Sequence, residues 1–87
     1  MAKGTIAATA VSSELVPASA NRHEVVLQHI SGDPVYLAFG ETPVVDQGLC
    51  LWENCPTIII NDHRAGEAIN GICDSGESAS GTWTTDR

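Results

Sequence analysis

Hydrophobic positions along the chain follow the two-residue period of strands, broken at short intervals by turn formers, and no segment carries an apolar stripe at helical spacing. The densest stretch is residues 22–40. Val25, Val26, Leu27 and Ile30 make residues 22–30 a β-rich run, with Val25 and Leu27 sharing a face with His29. Ser31-Gly32-Asp33-Pro34 then gathers turn-favouring residues, where Gly32 is free to take positive φ and Pro34 fixes φ at the entry to the next run. Residues 35–39 alternate again, Val35, Leu37 and Phe39 against Tyr36 and Ala38. Two β runs around a short glycine-containing loop predict a β-hairpin.

The same reading places strands at residues 49–52, 57–61, 67–74 and 82–85, and a short extended piece at Glu14-Leu15-Val16. Ile58, Ile59 and Ile60 are consecutive, which predicts burial on both faces. Residues 62–66 and 75–81 read as loops. Residues 1–11 are rich in small side chains, with Gly4, Thr5 and Thr9 interrupting the alanines, and read as an extended arm or a weak edge strand. The division expected is an N-terminal arm over 1–12 and a single domain over 13–87. The fold class expected is all-β, an antiparallel β-sandwich or a jelly-roll-like small barrel of about seven or eight short strands.

A chain of 87 residues makes one domain with a thin core, and oligomerisation is a common remedy for that. With one Phe, one Tyr and two Trp, the core must be mostly aliphatic. Trp52 and Trp83 either close the ends of that core or anchor an interface. The net charge is −7, eleven acids against Lys3, Arg22, Arg64 and Arg87. Four scattered cations cannot build the basic patch that nucleic acid or an anionic membrane requires, so neither is an expected partner. No stretch approaches the ~20 apolar residues of a membrane span, and the first ten residues make a poor secretory signal.

Candidate chemistry is sparse. Cys50, Cys55 and Cys73 are odd in number, and Cys50-x₄-Cys55 sits at the edge of zinc-ligand spacing with no second pair; a Cys50–Cys55 bridge is geometrically possible but not implied, and the default is reduced thiols of an intracellularly assembled protein. Asp74-Ser75-Gly76-Glu77 falls short of a calcium loop, and Asp62-His63 has no nucleophile motif beside it. No catalytic residue, cofactor or metal is expected.

Asn21-Arg22, Val25-Val26-Leu27-Gln28 and Pro34-Val35-Tyr36-Leu37-Ala38-Phe39-Gly40, followed by Ile69-Asn70-Gly71-Ile72-Cys73-Asp74-Ser75-Gly76, resemble small β-sandwich virion proteins of tailed bacteriophages. His29 and Gly71 depart from that pattern, in which Asn and Ala are usual. The resemblance implies a non-enzymatic head decoration, or cement, protein assembled in the host cytoplasm and carried on the capsid surface. Its partners would be the major capsid protein and other copies of itself, most often as a trimer. A tail or head-fibre part that meets the host surface is the alternative. The partner-contacting residues expected are Lys3, Thr5, Ile6 and Val11 on the arm, and Trp52.

Overall fold

The strands form one long two-stranded ribbon, rolled on itself. The computed structural model describes residues 2–86. Among them the strands are β1 (Lys3–Thr9), β2 (Ser13–Val16), β3 (Val25–Gly32), β4 (Val35–Phe39), β5 (Leu49–Leu51), β6 (Thr57–Ile60), β7 (Ile69–Ile72) and β8 (Ser78–Thr85), with a 3₁₀ turn at His63–Gly66. The nested antiparallel pairs β1·β8, β2·β7, β3·β6 and β4·β5 are the rungs of the ribbon. Rolling it sets β8 beside β3 and β7 beside β4, which gives two four-stranded sheets ordered β1-β8-β3-β6 and β2-β7-β4-β5. That order is a jelly roll, a two-sheet all-β sandwich.

Ile6, Leu15, Val16, Val25, Leu27, Val35, Leu37, Leu51, Ile60 and Ile69 fill the space between the sheets. Phe39 and Trp83 lie half-buried against this aliphatic core. The Trp83 ring lies over Gly4, where an added Cβ would come within 2.6 Å of the indole.

Val35–Phe39 is a strand as expected, but β3 and β4 are not a hairpin. β3 is bonded on both edges, by β8 and β6, and has no free edge to offer β4. The chain turns instead across the sandwich. Gly32 takes φ +99°, and Asp33 is tied to the start of β8, its N–H donating to Ser78 O (2.9 Å) and its carboxylate accepting from Ser78 N (3.1 Å).

Of the two readings of residues 1–11, the edge strand is the one that forms, as β1 ends its sheet, so the described part of 1–12 is not an arm separate from the domain. Residues 3–9 run the length of β8 in register and place Ile6 and Ala8 in the core. Alternation of Gly4, Ile6 and Ala8 inward is what the small residues serve, because they lie over Trp83, Gly81 and Ala79 of the partner strand. The isoleucine run is not buried on both faces. Ile60 is buried and Ile58 half-buried, while Ile59 is 57% exposed, because β6 ends its sheet and turns one side outward. The loop expected over 75–81 is in its second half the start of β8. Pairing on both sides there outweighs the weak strand propensity of Ser78-Ala79-Ser80-Gly81.

Among the described residues two polar side chains are buried, Arg22 and Thr85, and Arg22 is the charged one. Arg22, 6% exposed, donates from Nε to Ala65 O, from Nη1 to Pro17 O (2.7 Å) and from Nη2 to Glu67 O (2.9 Å). It pins the β2–β3 connection to the 3₁₀ turn. Burial lowers the guanidinium pKa, partly offset by Asp86.

Candidate interaction surface

The side chains of sheet β1-β8-β3-β6 separate cleanly into two sets. Ile6, Ala8, Val25, Leu27, Ile60, Ala79 and Gly81 point inward and are buried. Lys3, Thr5, Ala7 and Thr9 of β1, Ser78, Ser80, Thr82 and Thr84 of β8, Val26 and Gln28 of β3, and Thr57 and Ile59 of β6 point outward. Register aligns them in rows across the strands. One row is Lys3, Thr84, Val26 and Ile59, and the next is Thr5, Thr82, Gln28 and Thr57. A bulge between His29 and Ser31 leaves Ile30 67% exposed beside this surface, and the Ser31 and Ser80 hydroxyls meet at 2.8 Å.

The charge pattern of this face is unlike that of the chain. None of the eleven acids lies in the four strands, and Lys3 is their one Lys or Arg. The acids stand at the strand ends: Glu24 before β3 and Asp86 after β8, Asp33 after β3 and Glu77 before β8. The Asp86 carboxylate is pushed up by burial, but N–H donation from His23 and Glu24 outweighs this and holds it below its ordinary value. Glu77 is raised by burial and by the neighbouring Asp33 and Asp74.

The opposite sheet differs because the chain covers it. Ala38 faces out from β4 yet is buried, and residues 41–48 fold back beside it, with Asn70 Nδ2 donating to Glu41 O (2.8 Å). Tyr36, on the same face, is hydrogen-bonded to Asp46, which raises the phenol pKa. One sheet face is thus overlaid in part by its own loop, while no described segment covers the other.

Of the residues expected to meet a partner, Lys3 and Thr5 lie together on the bare face. Ile6 does not; it is 2% exposed and belongs to the core. Val11, 74% exposed, stands in the turn between β1 and β2. Trp52, 38% exposed, stands in the turn after β5, where it bridges Cys55. Thr82, Thr84, Val26, Gln28 and Ile59 were outside the expected set. The signal for them is in the sequence, as alternate positions of four strands that together hold no carboxylate.

A shallow groove of about 450 Å³ lies between Phe39, Leu49 and Glu41 on one side and His63, Arg64 and Glu67 on the other, apart from a hollow of about 370 Å³ lined by Lys3, Thr5, Thr82, Trp83 and Thr84. The groove's cation is already engaged. Arg64 lies 5.1 Å over the Phe39 ring and pairs with Asp62 at 3.0 Å. That pairing lowers the Asp62 pKa. Among the described residues no three His, Cys, Asp or Glu side chains gather as metal ligands. The thiols are free, and burial raises the pKa of both Cys50 and Cys73, which keeps them protonated and weakly nucleophilic. Compared with known families, characterised proteins and solved structures, the chain matches none.

Proposed function

We propose that this chain is a non-enzymatic virion protein of a tailed bacteriophage, a decoration or cement protein that binds the shell of the major capsid protein and stabilises it. It assembles in the host cytoplasm, sits on the capsid surface, and forms trimers. The observation that carries the reading is the bare, hydroxyl-rich sheet face on a strongly acidic jelly roll. A jelly roll is a common architecture of viral capsid domains, though a fold alone does not assign function.

The resemblance adds support because two of its segments are neighbours in space. The Pro34–Gly40 segment contains β4, the late segment contains β7, and these strands pair from Tyr36 with Ile72 to Phe39 with Ile69. Arg22, in the first resembling segment, clamps the loop that leads into β7. Val25–Gln28 of the first segment lies on β3, in the other sheet.

The test is co-sedimentation of the purified chain with undecorated shells built from the capsid protein of the same phage. Saturable binding, with fewer shells broken on heating, is the expected result. No binding to shells, together with antibody labelling at the tail or fibres of intact particles, would overturn the proposal in favour of the attachment role.

A further inference from the structure

We infer that the chain docks on the shell through the bare face of sheet β1-β8-β3-β6, and that the matching capsid surface has an uncharged centre flanked by Lys and Arg; this rests on the function proposed above. Interfaces are depleted of charge at their centre and carry polar groups at the rim. The outward rows of this sheet have that anatomy. The centre is Thr5, Thr82, Gln28 and Thr57, with Val26 directly opposite Ile59 as an exposed apolar pair. Carboxylates stand at both ends of the strands, Glu24 and Asp86 at one and Asp33 and Glu77 at the other.

Charge decides the occupant. A second copy stacked on this face would bring carboxylate ends against carboxylate ends in either orientation, on two bodies each of charge −7. A partner with basic flanks meets the same ends with attraction and leaves no charge buried unpaired at the centre. Size points the same way. Strands about 4.8 Å apart, three of seven or eight residues and β6 of four, give a face of roughly 430 Å². That falls short of the ~800 Å² per partner of a stable one-to-one complex. It suffices where linked copies engage a repeating shell together, since the second and third contacts are then intramolecular.

Thr82 sits mid-face between Thr5 and Gln28 with its side chain outward, so a charge placed there leaves the core alone. The experiment compares shell binding of the wild type, Thr82→Glu, Thr82→Lys and Glu14→Gln, the last lying on the other sheet. Both Thr82 variants should lose binding at least about tenfold, whatever the sign, because either buries an unpaired charge; Glu14→Gln should bind as the wild type does. Binding should also weaken as salt is raised. Should a Thr82 variant melt early, Gln28→Glu makes the same test from the next strand. Full binding by folded Thr82 variants would overturn the assignment of this face. So would a wild-type dimer that Thr82→Glu dissolves, which would give the face to a second copy. Binding that strengthens with salt would remove the basic flanks. Failure of the wild type itself to bind shells is a different result, and would sink the function proposal and this inference with it.

Discussion

Arg22→Ala should destabilise the protein as much as a typical large-to-small change in its core. The guanidinium donates to three carbonyls, Pro17 O, Ala65 O and Glu67 O, and is itself 6% exposed. A hydrogen bond from a charged donor contributes about 1.5–3 kcal/mol, so the low end for the set is ~4.5 kcal/mol. Water entering the vacated site recovers part of this, and burying the guanidinium has its own cost, which leaves a net loss of about 3 kcal/mol. A chain of this length has a total stability of roughly 4–13 kcal/mol. At ~4–8 °C per kcal/mol, Tm should fall by about 12–24 °C. Arg22→Lys should recover only a minor share, since one ammonium cannot span the three carbonyls that the planar fork reaches. Urea melts followed by tryptophan emission and by far-ultraviolet circular dichroism supply the numbers. A loss under about 1 kcal/mol for Arg22→Ala, or equal stability of the Lys variant and the wild type, would refute the clamp.

Removing residues 2–9 should unfold the protein rather than trim it, because β1 carries Ile6 and Ala8 into the core and is half the support of β8; a cooperative melt of the truncated chain near the wild-type Tm would contradict this. Gly4→Val should push the Trp83 ring off the sheet and shift its emission to longer wavelength, at a cost of about 1–3 kcal/mol; unchanged emission would show that the ring and Gly4 do not touch. Glu77, whose folded pKa is raised, opposes folding when ionised, so Glu77→Gln should stabilise at pH 7 and the gain should vanish below the ordinary carboxylate range near pH ~4. Asp86 has the opposite sign. Its depressed pKa contributes stability above that range which is lost as pH falls through the folded value, so Asp86→Asn should destabilise at pH 7 and not in strong acid. Melts of the variants across pH check both, and parallel curves for either pair would refute the assigned shift.

Local pattern was legible where a strand has strong β-formers: Val35–Phe39 matches its expected bounds, and the Thr57–Ile60 strand lies within one residue of them. Pairing was not. The 31–34 turn looks like a hairpin loop because Gly32, Asp33 and Pro34 are chosen for a reversal, and a reversal between sheets uses the same residues as one within a sheet. β1 was partly legible, as the edge-strand alternative to an extended arm. Its choice of alanines and glycine makes sense only once β8 is set beside them and the space under Trp83 and beside Gly81 is filled. Arg22 gave no sign of its burial, since its partners Ala65 and Glu67 are distant in sequence. The bare face was half legible. Lys3 and Thr5 were expected to meet a partner, but the rows they belong to need the register of four strands.

The central claim is that this jelly roll lies on a capsid with its carboxylate-free sheet toward the shell. The measurement is an electron cryomicroscopy map of particles made with and without the chain, at a resolution that separates the two sheets. The account predicts density on the outer capsid surface present only when the chain is made, with Thr5, Thr82, Gln28 and Thr57 facing the capsid protein. Density confined to the tail, or a decoration whose β1-β8-β3-β6 face points to solvent, would contradict it.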